Sequence, residues 1–457
     1  MEKKSVRKIC LILLLFACSS NWFVRESCLG AVYEIYPATV GSQEEFETVV
    51  NSLKPGDELI LHGGLYSQSA RRAVTAKGSA AKPIVIRAAN EGQPLLSRPA
   101  DNIDKYNNIE FIDCSYLIVR GIHFKGGSSG VRFIRGHHIT FEECEIFQTG
   151  NNALTMNSGD CDAFIIRKNH IHHTGLSKSR RTEGEGMYIG CHSGSCRTTN
   201  SLFEGNYIHH TRGTSSGGND GIEIKFGSYG NIVRDNVIHD TNISKQYPGI
   251  FVYGSDGKGI NIVEGNVIWN AGEGIQVVSD AIIRNNIVFN CSMTGITAAP
   301  HAAVPRVSNV TIVNNTIVNH PKGILIRWNN ARDMVFANNA IYCPGATAVD
   351  AQGLGNAIFS ANFVQGRLNG TEIDGAGFCN GGTVYNAFAG PDEKNYWPKP
   401  ESVLIEKADS NFAPDLDFNH TPRKKPFDVG AYESEGKAEN PGWHIQTGIK
   451  GSRRVDM

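Results

Sequence analysis

Residues 218–240 read GNDGIEIKFGSYGNIVRDNVIHD, and two nested periods run through them. Ile222 and Ile224 alternate with Glu223 and Lys225, the period-two signature of a short strand with one face inward. Downstream, IVRDNVIHDTN (232–242) has counterparts along the chain: IIRKNHIHHTG, LFEGNYIHHTR, IVEGNVIWNAG, IIRNNIVFNCS and IVNNTIVNHPK. Each places two apolar residues before a polar pair, then an asparagine and renewed apolar alternation. The shared asparagines are Asn169, Asn206, Asn236, Asn266, Asn286, Asn315 and Asn339, spaced 20 to 37 residues apart.

A period of this length built from short alternating segments marks a solenoid. One unit cannot bury its apolar face alone, whereas stacked units can, and like residues then form ladders along the stack. Asparagine at a fixed turn position suits this, because it tolerates left-handed backbone and its amide can bond the copies above and below. Leucine-rich repeats need a leucine-dominated strand pattern, which is absent. The reading is all-β: a parallel β-helix of about ten coils between roughly residues 55 and 365.

The ends carry other information. Lys3, Lys4, Arg7 and Lys8 followed by ICLILLLFAC read as an export signal over residues 1–30, with an apolar core too short to span a bilayer. LFAC resembles a lipoprotein box that would place a lipid anchor on Cys18, while the small residues at Gly30 and Ala31 offer an ordinary cleavage point. The expected location is secreted, periplasmic or cell-surface, with no transmembrane segment. The solenoid is assigned to 31–365, closing coils or a cap to 366–435, and a tail to 436–457. A formal net charge of −1 argues against a nucleic-acid partner, and a monomer is expected. In an exported protein Cys191 and Cys196 suit a small loop disulfide; a zinc site would need a second close Cys/His pair. Cys144 and Cys291 fall on repeat strands and read as buried small hydrophobes. His170, His172, His173, His209, His210 and His239 follow the ladder asparagines and read as a repeat edge.

A second strand in each unit begins at a glycine or small residue: SGVRFIR, NALTMNS, EGMYIGC, DGIEIKF, PGIFVYG, EGIQVVS, TGITAAP and KGILIRW. Aligned there, positions one and three beyond it are apolar and point inward. The position before it, and those two and four after it, face out. Adjacent coils lie about 4.8 Å apart, so Glu185, Tyr188, Asp220, Glu223, Lys225 and Tyr253 are expected to converge on one outward patch. Long inserts just before these strands suggest groove walls, and Lys178, Arg180 and Arg181 add positive charge at the rim. Asn157 and Arg327, on the same outward column as Lys225, join Arg180 and Arg181 as expected substrate contacts.

The repeats resemble those of the right-handed parallel β-helix, pectate-lyase-like superfamily. GSQEEFETVVNSLKPGDELIL resembles its usual opening, a capping helix and then a first strand at PGDELIL, and PFDVGAYE resembles a closing segment. The resemblance implies a polysaccharide-degrading enzyme. β-Elimination of a uronate polymer needs the C6 carboxylate neutralised, the C5 proton removed and the leaving oxygen protonated. Calcium held by Glu185, Asp220 and Glu223 would serve the first need. A lysine beside a cation loses its proton more readily, which makes Lys225 the expected base. Tyr253 or Tyr188 would be the acid. The pattern is similar to the chondroitinase B and alginate lyase family, which carries acids and a lysine on one coil but an arginine where Tyr253 stands. Family 9 pectate lyases use a more aspartate-rich calcium site. GNDGIEIK also echoes a polygalacturonase strand, so hydrolysis by paired carboxylates from Glu185, Asp220 and Glu223, with His192 nearby, is the alternative. A non-catalytic carbohydrate-binding β-helix is the third reading.

Overall fold

The computed structural model describes residues 8–9, 30–37, 42–99, 103–179, 182–214, 218–241, 247–304, 307–373 and 377–451. Of the expected export segment only Lys8–Ile9, paired antiparallel with Tyr33 and Val32, and Gly30 are described; Cys18 lies outside the described residues. Three parallel ladders of short strands run the length of the molecule. The first passes from Val32–Ile35 through Glu58–Leu61 to Ile358–Ser360. The second runs from Gly64–Ser67 to Phe378–Asn380, and the third from Ala73–Val74 to the long strand Ala340–Gln352, which serves both. Each coil contributes one strand per ladder, so this is the parallel β-helix that the repeat predicts. The first strand lies a coil earlier than PGDELIL, because Val32–Ile35 pairs in parallel with Glu58–Leu61.

The helix Ser42–Ser52 closes one end. Phe46, Val49, Val50 and Leu53 fall at helical spacing and are all buried. Its Asn51 donates to the Ala73 carbonyl (3.0 Å) and accepts from the Thr75 amide (2.8 Å), tying the cap to the third ladder. None of the described helices is long and apolar enough to cross a membrane.

The asparagine ladder forms as expected. Asn236 Oδ1 accepts from the Asn206 amide (2.9 Å) and Nδ2 (3.0 Å), and its own Nδ2 donates to Asn266 Oδ1 and the Phe203 carbonyl, both at 2.9 Å. Asn362 extends the series beyond Asn339. The left-handed residue, however, is the one before each ladder asparagine: Lys168, Gly205, Asp235, Gly265, Asn285, Asn314 and Asn338 have φ between 53° and 64°. The ladder side chain must point inward to its copies, so the turn reverses one residue earlier. Cys144 holds the equivalent position ahead of Asn169 and, like Cys291, is buried. Burial pushes both thiols up to about 12.

Beyond the last coils the chain returns over the outer face of the second ladder. Phe388, Tyr396, Trp397, Phe418 and Tyr432 pack there against Val237, Val267, Trp269 and Phe289 as a second apolar cluster.

Candidate active site

The third ladder has the register expected from the glycine alignment. Tyr188, Glu223 and Phe251 are cross-strand partners in three successive coils, flanked inward by Met187–Ile222–Ile250 and Ile189–Ile224–Val252. The inward residues are wholly buried and hold the strands at fixed spacing. The residues between them therefore emerge on one face by strand alternation alone.

On that face Glu185, Asp220 and Glu223 bring carboxylate oxygens within 4.8 Å of one another. Lys225 Nζ donates to Glu223 Oε1 and lies 3.5 Å from the Tyr253 hydroxyl, which in turn donates to Glu223 Oε1 at 3.1 Å. The ammonium sits between two rings, 4.4 Å from the Tyr188 centroid and 4.8 Å from that of Tyr253. Asn152 Nδ2 donates to Glu185 Oε2 (2.8 Å) and orients it.

The patch faces out of the barrel but not into open solvent, contrary to an exposed ion pair. Asp220 is 1% exposed, Glu223 3% and Lys225 4%. Loops make the difference. Gly218 lies directly against Glu185 and Asp220, where a Cβ would collide with Glu185 Oε1. The loop is joined to its neighbour by Gly184 N–H···O Gly218 (2.8 Å) and Thr214 N–H···O Thr182 (3.0 Å). Cys191 and Cys196 are disulfide-bonded, as expected, and the loop they close carries His192 to 6.5 Å from the Tyr253 ring.

Burial, and next the charge of Glu223, pushes the Glu185 and Asp220 carboxyls well above the usual carboxylate range. Burial followed by Glu223 and Asp220 likewise holds the Tyr253 proton more tightly than in a free phenol. Three acids face one ammonium, and Asp220 Oδ1 and Glu223 Oε2 are buried without a hydrogen-bond partner. An all-oxygen donor set with orphaned carboxylate oxygens fits a hard divalent cation such as Ca2+.

Other expected contacts fare differently. Asn157 lies in the column of Gly190 and Lys225, two coils from the lysine, and its Oδ1 is buried without a partner. Arg327 is four coils beyond Lys225 and is engaged by Asp350 at 2.9 Å, so it is not brought to the patch. Lys178 is exposed, while Arg180 and Arg181 lie outside the described residues. Sequence reasoning missed His301, which packs edge-on against Tyr253 (4.9 Å) and Phe251 (5.5 Å). Its only signal is the insert APHAAVP after the strand TGITA, two coils from Phe251. Burial, then the charge of Lys225, disfavours its protonated form.

A model of the right-handed β-helix region matches residues 100–216 and 214–341, and a chondroitinase B model matches residues 40–157. The chain is 23% identical over 302 residues to pectate lyase L of Thermoclostridium stercorarium, covering 62% of this chain and 21% of that protein. It thus spans about a fifth of the length of that curated relative. Among solved structures, alginate lyase from Paenibacillus sp. str. FPU-7 matches with a TM-score of 0.51 at 19% identity, covering 74% of this chain and 99% of that one. Pectate lyase Pel9A matches at 0.54 and 15% identity (88% and 96% covered). The A-module of the Azotobacter vinelandii mannuronan C-5 epimerase AlgE6 matches at 0.56 and 14% identity (75% and 94%). With the β-helix region matched over more than half its length, and polysaccharide lyases among its relatives, the chain belongs to the right-handed parallel β-helix family.

Proposed function

We propose that this protein is an exported, monomeric lyase that cleaves an acidic, uronate-containing polysaccharide by β-elimination. The observation that carries the reading is the buried triad Glu185, Asp220 and Glu223 with orphaned oxygens, set beside a lysine bracketed by two tyrosines. A bound Ca2+ would neutralise the substrate carboxylate and so acidify the C5 proton. Lys225 Nζ, flanked by Glu223 and the two rings, would take that proton as the neutral amine, the form that a cation bound at the neighbouring triad favours. Tyr253 retains its proton and reaches both Lys225 and Glu223, so it suits the donor to the leaving oxygen better than Tyr188, which offers Lys225 its ring face. Asn157, with its unpartnered Oδ1, and the rim residues Arg180 and Arg181 would contact neighbouring sugars.

Hydrolysis is the second reading, favoured by the raised Glu185 and Asp220 carboxyls, which suit a general acid. Incubation with pectate, alginate, dermatan and ulvan, with calcium or chelator, separates the readings. A calcium-dependent rise in the ultraviolet absorbance of unsaturated uronates, lost in Lys225→Ala, is expected. New reducing ends without unsaturation would establish hydrolysis, and binding without turnover would reject both.

A further inference from the structure

A second cluster of metal-binding side chains lies on the outer face of the second ladder, apart from the carboxylate patch on the third. His123, Glu145 and His170 are cross-strand partners in successive coils, and His172, two residues past His170, emerges on the same face. Glu145 Oε1 lies 3.2 Å from His170 Nδ1 and 3.0 Å from His172 Nε2, while His123 Nδ1 approaches Oε2 at 2.9 Å. Tetrahedral zinc with bonds of about 2.0–2.1 Å holds its donor atoms about 3.3 Å apart, so Glu145 Oε1 already stands near ligand spacing from both imidazole nitrogens, and one donor atom from each of the three residues lies within 4.8 Å of the others.

The remaining ring nitrogens strengthen the case. A ligating histidine ordinarily uses its second nitrogen to donate to an outer partner that fixes ring and tautomer. His170 Nε2 lies 2.9 Å from His209 Nε2, and His172 Nδ1 lies 2.6 Å from His173 Nδ1. The rings are also held in place by stacking: Phe147 on His172 (5.3 Å) and His172 on His209 (5.1 Å, planes 3° apart). An open cleft of about 430 Å³, bordered by His123, Glu143, Glu145, Lys168, His170 and Ile449, opens onto Glu145 and His170.

We infer that Glu145, His170 and His172 form a binding site for a zinc-class divalent cation. His123 serves as a fourth ligand or holds the carboxylate, and His209 and His173 are the outer partners. Imidazole nitrogens select such a metal over calcium, which takes oxygen ligands. Because the ligands come from neighbouring coils, occupancy ties the coils together at this edge.

The test uses untagged, chelator-stripped, dialysed full-length protein, titrated calorimetrically with Zn2+ and spectroscopically with Co2+ in millimolar Ca2+. One equivalent of Zn2+ should bind, Co2+ should develop a visible d–d band, and Zn2+ should raise the melting temperature. Glu145→Gln, which preserves the side-chain shape, should weaken binding about tenfold or more, and His170→Ala/His172→Ala should abolish it. Glu223→Gln should leave it unchanged. Circular dichroism of each variant without metal confirms the fold. No Zn2+ binding by the wild type, or equal binding by the double variant, would overturn the site. Zn2+ lost with Glu223→Gln but kept in the double variant would place the ion at the carboxylate patch and also overturn it.

Discussion

At Lys225 the environment, not the residue type, decides the chemistry. An exposed Glu–Lys pair two residues apart contributes little, but this one is covered by loops and bordered by two further acids, so removing either partner strands a buried charge. Lys225→Ala is expected to lower kcat by about 10²–10⁴, read as unsaturated-product formation under saturating substrate. Tyr253→Phe keeps the ring beneath the ammonium but removes the hydroxyl, and should reduce kcat more than Tyr188→Phe does; equal losses would exclude Tyr253 as the specific proton donor. His320 allows a stability prediction. It is fully buried between the Cys291 amide and the Val288 carbonyl, and burial lowers its pKa to about 4. The unfolded chain, with a histidine near 6.5, binds the extra proton first. Stability is therefore complete above about pH 6.5 and falls as pH drops towards 4, by up to about 3 kcal/mol from this group. Denaturant melts at pH 7 and 5 should show that loss, and His320→Asn should reduce it.

At the scale of the element, each ladder asparagine serves two coils at once. Asn236→Ala removes two accepted and two donated hydrogen bonds and leaves the Asn206 amide group unsatisfied. With each stranded buried group costing about 1–3 kcal/mol, a loss of about 3–5 kcal/mol is expected from urea melts. The aligned glycines of the third ladder answer a different need. A Cβ on Gly221 would stand 2.5 Å from the Gly249 carbonyl oxygen of the next coil, so the strand entry cannot carry a side chain. That close approach is why alignment on glycine recovers the true register, and with it which side chains share the outward face.

At the scale of the molecule, the C-terminal segment is a brace along the stack. Lys450 Nζ bonds Asp235 Oδ1 (2.7 Å), the Gly265 carbonyl (2.9 Å) and the Phe418 carbonyl (2.7 Å), and His420 meets the other Asp235 oxygen at 2.7 Å. Burial alone would raise the Asp235 pKa, but the Lys450 charge and the His420 hydrogen bond pull it down to about 2. Its stabilising contribution is thus present above about pH 4 and is lost as pH falls towards 2. Truncation after residue 435 should lower the melting temperature by stripping Lys450 from Asp235 and Trp443 from Phe418; an unchanged transition would show that the brace contributes nothing to stability.

The repeat, the register and the membership of Glu185, Tyr188, Asp220, Glu223, Lys225 and Tyr253 in one outward face were all readable from residue order. Strand alternation has a period of two, and the asparagine and glycine ladders mark where each coil begins, so local chemistry dictates the stacking. Three things came only from the folded chain. The site is buried rather than exposed, His301 joins it from two coils beyond Phe251, and Arg327 is spent on Asp350 instead of reaching it. Each depends on where a loop lies or how many coils separate two residues in space. No local period carries that information, because loops are placed by contacts between residues remote in sequence.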